Sequence, residues 1–273
     1  DRKWMLELER PSLRPLAELA EPEVKVAGIK INPETNGPAR EYAYRGIQLR
    51  DIAAAKKAKR VDIALPDGAR VRNIDWNFDS TAFSFTLTQE DGIELWVAKV
   101  PSGEVKRLTG PVLNAAYGAP CDWLPGDRGL ICKRVPADRG DVPEASRVPT
   151  GPIIDENLGR KAPARTYSNL LKSPHDEALF EYYLQSELVR VGLDGKIDTL
   201  TRADIVDDAT PSPDGQWLLL ETLHRPWSYH VSASRFPKRT TLFPIDDPAR
   251  VIAIEDLPLA DDVPIARGSV RTG

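Results

Sequence analysis

The sequence predicts an all-β fold, a partial β-propeller of about four to five blades, each a four-stranded antiparallel sheet. The first observation is a repeated phrase in which a polar turn precedes an apolar, aromatic-rich run. Its copies span Ile74–Thr88, Cys121–Val135, Leu170–Leu184 and Ala209–Leu223. Aligned on Asn77, Leu124, Ser173 and Ser212, they are spaced by 47, 49 and 39 residues. This period is typical of propeller blades, which bury their faces only by packing on neighbouring blades.

A second phrase follows the first in two of these units and supplies further strands. Glu94–Thr109 and Glu187–Thr201 each contain a strand, a tight turn carrying glycine, and a second strand ending in Leu-Thr. Residues Asp67-Gly68 predict a third hairpin, because glycine readily adopts the positive backbone angles of a tight turn. Helical periodicity is confined to two short stretches, near Pro15 and near Leu49.

A β-sandwich is the alternative architecture, and the recurrence of Asp-Trp at 75–76 and 122–123 favours the propeller over it. Two inserted loops interrupt the repeat, near residues 11–38 and 136–167. The first is rich in proline and charge, and the second holds prolines and basic residues without strand alternation. A segment of this length without regular structure in a compact domain is usually a functional loop or disordered.

The composition excludes several classes of function. The chain has 37 basic and 41 acidic residues and a formal net charge of -4, so no overall basic field exists to hold nucleic acid. No apolar run approaches the roughly 20 residues that a membrane span needs. No amino-terminal targeting signal is recognisable, and the compartment therefore stays unknown at this level.

Cys121 and Cys132 are the only cysteines, too few for a disulfide framework and lacking a second pair for a zinc site. If the segment between them folds as a hairpin turning at Gly126-Asp127, the two residues lie opposite each other on neighbouring strands. A cross-strand disulfide and two buried free thiols are then both open. The free thiols are favoured, because cross-strand bridges need restrictive geometry.

No catalytic constellation is recognisable in the sequence. A Gly-x-Ser-x-Gly elbow and glycine-rich phosphate loops are both absent. His175 is interpreted as a solvated turn residue, and His224 and His230 lack the spacing of a zinc-binding helix. The acidic stretches at 204–209 and 245–248 lack calcium-loop spacing and are interpreted as solvated turns, and the repeats show no consistent set of inward carboxylates. We therefore predict no catalytic residue, no metal site and no cofactor in this chain.

Four longer phrases carry a resemblance to a known family. They are Arg14–Pro33, Val142–Tyr183, Arg235–Thr240 and Asp256–Gly273. Taken in order, they resemble the glutamyl endopeptidases of the prolyl oligopeptidase family, serine peptidases known from plant chloroplasts and from bacteria. The resemblance covers nearly the whole chain, and phrases of this length are far more specific than a single turn motif.

The resemblance implies an amino-terminal β-propeller followed by an α/β-hydrolase domain. The Ser, Asp and His of its triad would lie beyond Gly273, so no catalytic residue is assigned here. Residues 1–273 are expected to be a fragment of the propeller domain, because Asp1–Leu6 is similar to the second half of the repeat at Asp214–Leu219. The implied partners are a peptide substrate and the downstream hydrolase domain of the same polypeptide. The implied location is periplasmic or secreted in a bacterium and organellar in a plant.

In this family the propeller restricts entry to the active site, and cleavage after glutamate needs a cation that pairs with the substrate carboxylate. The candidate cations lie in the second inserted loop: Arg147, Arg160, Lys161 and Arg165. Three alternatives stay open: these are ordinary surface charges, they pair with Asp155 and Glu156 within the loop, or the selecting cation lies in the hydrolase domain. A different class of function is also open, a stand-alone propeller that binds a protein or peptide partner.

Overall fold

A computed structural model describes residues 3–52, 59–126, 128–145 and 167–261. Within these ranges the chain forms two α-helices, α1 (Leu16–Leu19) and α2 (Pro174–Leu184), and neither is long and apolar enough to cross a bilayer. The strands are β1 (Trp4–Glu9), β2 (Val24–Val26), β3 (Ile29–Asn32), β4 (Gly37–Pro38), β5 (Gly46–Asp51), β6 (Arg60–Asp62), β7 (Val71–Trp76), β8 (Ala82–Thr88), β9 (Ile93–Lys99), β10 (Val105–Arg107), β11 (Cys121–Trp123), β12 (Leu130–Arg134), β13 (Gln185–Val191), β14 (Ile197–Thr199), β15 (Asp204–Pro211), β16 (Trp217–Leu223), β17 (Lys238–Pro244) and β18 (Ile252–Leu257).

Three runs of four consecutive strands form antiparallel blades. β7 to β10 are hydrogen-bonded in chain order, and β11 to β14 and β15 to β18 form two more runs of this kind. The last two share one sheet, because Gln185 and Ser186 at the start of β13 pair with β15 while the end of β13 pairs with β14. β1, β5 and β6 form a three-stranded sheet. The predicted all-β propeller fold is confirmed, and no sheet of the described residues closes on itself.

Successive blades pack on each other through apolar side chains. The layer between the first two four-stranded blades buries residues of both, among them Leu95, Trp123, Leu130 and Val189. The next layer buries Leu188, Val206, Leu218 and Phe243. Each side chain of this size contributes roughly 1.5–3 kcal/mol when it is fully buried. The core is therefore a stack of interblade layers, as the repeat predicts.

Of the three hairpins predicted at Glu94–Thr109, Glu187–Thr201 and Asp67-Gly68, two are confirmed and one is wrong. β9 pairs with β10 and β13 pairs with β14, as the phrases Glu94–Thr109 and Glu187–Thr201 predict. The third, at Asp67-Gly68, is a turn in which Ala69 N donates to Pro66 O at 3.1 Å, but its flanking strands do not pair. β6 pairs with β5, and β7 pairs with β8, so this turn connects two different sheets.

The prediction that Leu170–Leu184 forms a turn followed by a strand is wrong, because most of this segment forms helix α2. Ser173 caps the helix, since its side chain accepts a hydrogen bond from Asp176 N at 3.2 Å. Pro174 occupies the first turn, where its missing N–H costs nothing. His175, interpreted as a solvated turn residue, lies instead half-buried in the first turn of α2.

The first inserted loop is an ordered substructure, since α1 and the three-stranded sheet β2-β3-β4 fall within residues 11–38. Val26 and Ile31 of this sheet are buried in one cluster with Phe180 and Tyr183 of α2. The insertion thus packs against the helix that interrupts the repeat. Of the second inserted loop, residues 146–166 lie outside the described residues.

Cys121 and Cys132 form a disulfide, so the favoured expectation of two free thiols is wrong. The hairpin prediction itself is confirmed, because β11 and β12 are antiparallel neighbours in which these two residues are direct partners. Their Cα atoms are 4.1 Å apart. Local sequence places the two residues opposite each other, but the separation of the strands at that position comes from the packed blade.

Candidate functional site

The four predicted substrate-binding cations, Arg147, Arg160, Lys161 and Arg165, lie outside the described residues. Among the charged groups of the described residues, one lies on the first strands of neighbouring blades and another lies against the inserted sheet.

The first group contains carboxylates of three blades. Asp75 on β7 and Asp122 on β11 occupy the same position of the repeat, and Asp208 lies on β15 two residues before the equivalent Thr210. Desolvation is the largest cause that raises the pKa of Asp122, and the negative charges of Asp208 and Asp75 raise this pKa further. The stretch 204–209, interpreted from sequence as a solvated turn, belongs to β15, and that interpretation is wrong.

Lys133 of β12 lies buried beside these carboxylates. Its Nζ donates to the backbone carbonyl of Tyr117, and only 6% of the residue is exposed. Burial lowers the pKa of Lys133 to about 8, and the nearby Asp207, Asp122 and Asp208 act in the opposite direction. Among the described residues, no group of His, Cys, Asp and Glu has an arrangement that could hold a metal ion. The cluster is therefore a partly neutralised charge network at a cavity of about 190 Å³.

The second group lines a cavity of about 800 Å³ between the inserted sheet β2-β3-β4, strand β7 and the segment that leads into β11. Its charged lining residues are four cations and one acid: Arg14, Lys30, Arg40, Arg72 and Glu41. Ser168 and Asn169 also border it. The cavity is thus cationic in a protein whose net charge is negative.

Two arginines of this cavity have buried N–H donors without a hydrogen-bond partner among the described residues. Arg72 pairs through Nη2 with Glu41, and its Nε is buried without a hydrogen-bond partner in the described ranges. Arg14 stacks on Tyr42 with its Cζ 4.7 Å from the ring centroid, and its Nη1 is likewise buried and unpartnered there. Sequence reasoning misses this site, because Arg14, Arg40 and Arg72 belong to separate segments without a common motif.

The remaining histidines have local structural contacts. His224 Nε2 lies 2.7 Å from Asp256 Oδ1, and its Nδ1 lies 2.7 Å from the carbonyl oxygen of Arg225. The hydrogen bond from His224, together with Arg239, holds the pKa of Asp256 below its usual value. Both ring nitrogens of His224 are therefore occupied by protein groups.

Comparison with known proteins gives two relatives along the whole chain. This chain is 36% identical over 281 residues to a probable chloroplastic glutamyl endopeptidase of Oryza sativa subsp. japonica, and the match covers 98% of this chain and 30% of that protein. It is 33% identical over 283 residues to the probable chloroplastic glutamyl endopeptidase of Arabidopsis thaliana, covering 100% of this chain and 29% of that protein. The chain thus spans less than a third of the length of these relatives. No family model matches it.

Solved structures are similar only at a distant level. An acylaminoacyl peptidase of Pyrococcus horikoshii matches 84% of this chain and 30% of its own, with a TM-score of 0.44 and 10% identity. A putative TolB of Agrobacterium tumefaciens matches 78% of this chain and 62% of its own, with a TM-score of 0.41 and 13% identity.

The strand meanders and their interblade layers define the class of protein, a segment of a β-propeller. Along nearly its whole length the chain is related to part of two proteins that are named as probable glutamyl endopeptidases.

Proposed function

We propose that this chain is the non-catalytic propeller portion of a serine endopeptidase that cleaves peptides after glutamate. In this proposal residues 1–273 are part of an amino-terminal propeller, and an α/β-hydrolase domain that carries the triad follows in the same polypeptide. The single observation that carries it is the 33–36% identity, over nearly the whole chain, to two proteins named as probable glutamyl endopeptidases.

The proposed role of the propeller is to gate the active site. Blades that stack around an axis leave a narrow passage, which admits an extended peptide and excludes a folded domain. The carboxylates on the first strands of three blades, Asp75, Asp122 and Asp208, support this proposal, because polar side chains do not trap apolar segments. Glutamate selection requires a cation, and Arg147, Arg160, Lys161 and Arg165 stay proposals for that role.

The test is peptidase activity on matched fluorogenic peptides that carry Glu, Gln or Ala before the scissile bond. This chain is compared with the same reading frame extended to its natural stop. We expect cleavage only by the extended protein, with a preference for Glu. An extended protein that contains no hydrolase domain and cuts none of the peptides would overturn the proposal and leave a stand-alone binding propeller.

A further inference from the structure

We propose that the cationic cavity beside the inserted sheet binds the carboxylate of an acidic side chain in an extended peptide, with Arg40 and Arg72 as its principal ligands. The peptide as the source of the carboxylate rests on the proposed function. The carboxylate itself is argued from the charges, the buried donors and the backbone of the cavity.

The charge balance favours an anion. Four cations and one acid line the cavity, and Glu23 beside Arg40 adds a second acid, so the positive charges still outnumber the negative ones. Guanidinium groups bind carboxylates through two parallel hydrogen bonds, which makes arginine the most suitable side chain for this ligand. The buried Nε of Arg72 and Nη1 of Arg14 have no hydrogen-bond partner among the described residues, so both can still donate.

The backbone of Arg40 is a second, independent observation. Its φ is 54°, in the left-handed region that disfavours residues other than Gly, Asn and Asp. Strained backbone conformations of this kind are concentrated at binding and active sites, where the role of the side chain offsets the cost of the strain. Among the described residues, the guanidinium of Arg40 has weak partners, the carbonyl of Glu21 at 3.3 Å and the carboxylate of Glu23 at 3.5 Å.

Glu41 is a carboxylate of the chain itself that pairs with an arginine of the cavity. Its side chain is 56% exposed and pairs with Arg72, so it stands where an incoming carboxylate would compete. Because the Glu41 side chain is exposed, solvent screens its pairing with Arg72 and lowers the cost of displacing it. The cavity also has room for the chain that carries the ligand, because about 800 Å³ lies within the range of small-molecule and peptide-sized pockets. Apolar groups such as Ile29 and Ala116 line it and suit the aliphatic stem of an acidic side chain.

The experiment measures fluorescence anisotropy of two labelled pentapeptides, identical except for a central Glu or Gln, with this full chain. We expect the Glu peptide to bind at least about tenfold more tightly, as for one charge-assisted pair, and the difference to shrink in high salt. Arg40→Gly and Arg72→Gln should each weaken Glu-peptide binding by about tenfold and leave Gln-peptide binding unchanged. Glu41→Gln should tighten Glu-peptide binding, because it removes the competing carboxylate.

The control is Arg190→Gln, which removes an arginine paired with Asp198 and Asp246 away from the cavity. It should leave both affinities unchanged. Glycine relieves the positive φ at position 40, but loss of the Arg40 side chain removes a partner of Glu23, so a thermal melt of Arg40→Gly accompanies the binding measurement and must show a folded protein. If Arg72→Gln fails to fold, Arg40→Gly and Glu41→Gln still test the proposal through effects of opposite sign.

Three results would overturn the inference: equal affinity for the Glu and Gln peptides, unchanged affinity after Arg40→Gly, or weaker affinity after Glu41→Gln. Preferential binding of a phosphoserine pentapeptide, with no discrimination between Glu and Gln, would also overturn it. The same variants in the extended protein separate the two proposals. Cleavage after Glu that is insensitive to Arg40→Gly would refute this inference and leave the proposed function intact.

Discussion

The indole Nε1 of Trp123 donates a hydrogen bond of 3.2 Å to the backbone carbonyl of Asp75. Trp123 is 3% exposed on β11, and Asp75 lies on β7 of the neighbouring blade. Both residues belong to the Asp-Trp pair that recurs in the sequence, so one copy of the repeat binds the next. The repeat therefore records the contact between blades as well as the pattern within each blade.

Replacing Trp123 by Phe should destabilise the protein, because the carbonyl of Asp75 loses its donor and the interblade layer loses volume. We expect a loss of about 1–3 kcal/mol in the free energy of unfolding. Urea denaturation followed by circular dichroism measures it. Trp76→Phe is the matched control, since Trp76 is half-buried and packs on Phe83 at 5.6 Å between ring centroids. Equal losses in the two variants would contradict a special role for the bond from Trp123.

The disulfide between Cys121 and Cys132 should stabilise its blade. The two cysteines are 11 residues apart in sequence, so the bond closes a short loop. The loss of chain entropy in the unfolded state predicts a stabilisation of about 2–3 kcal/mol for a loop of this length. We therefore expect a lower melting temperature after reduction. The double variant Cys121→Ala/Cys132→Ala should melt near the reduced protein and should not respond to reductant. A parent that melts at the same temperature with both thiols shown to be free would refute this expectation.

Ser173 should hold the start of α2 through its hydrogen bond with Asp176 N. Ser173→Ala removes this cap and should cost about 1 kcal/mol, whereas Ser173→Asp keeps an acceptor and should retain most of the stability. Thermal melts of both variants test the difference. The helix matters beyond its own turn, because Glu181 accepts hydrogen bonds from Arg225 Nε at 2.7 Å and from Trp227 Nε1 at 2.8 Å. Two variants of equal stability would show that the cap contributes nothing.

The error at α2 shows where sequence reasoning is limited. Strands such as β9 and β13 follow from local patterns and from turn glycines, which act over a few residues. The segment at Ser173 carries equally local helix signals, a capping serine followed by proline and acids. The spacing of the repeat nevertheless favours a strand there. Repeat alignment assumes that each copy keeps the same structure, and an inserted helix breaks that assumption.

The cationic cavity has a different reason for escaping prediction. Arg14 lies in the first insertion, Arg40 follows shortly after its last strand, and Arg72 lies on the first strand of a blade. No spacing in the sequence relates them, since the fold of β2-β3-β4 against the blades brings them together. The positive φ of Arg40 is equally hidden, because arginine carries no local preference for that conformation. Only the three-dimensional arrangement reveals a group of this kind.

Lys133 should make stability depend on pH in a defined direction. Burial lowers its pKa in the folded protein to about 8, from an ordinary value of 10.5. Between these two pH values the folded chain has lost the proton and the unfolded chain keeps it, so the free energy of unfolding rises with pH. The stabilisation is present above pH 10.5 and is lost as the pH falls through about 8.

Lys133→Met keeps the aliphatic stem and removes the titrating amine, so it should abolish this rise. The test is the free energy of unfolding of both proteins, from urea denaturation at intervals between pH 7.5 and 10. Relative to the variant, the parent should gain about 1–3 kcal/mol across the range. Burial raises the pKa of Tyr117, so above pH 10 the unfolded chain loses that proton first and stability falls again. Parallel curves for parent and variant would mean that Lys133 keeps its proton, held by Asp207, Asp122 and Asp208, and that these carboxylates outweigh burial.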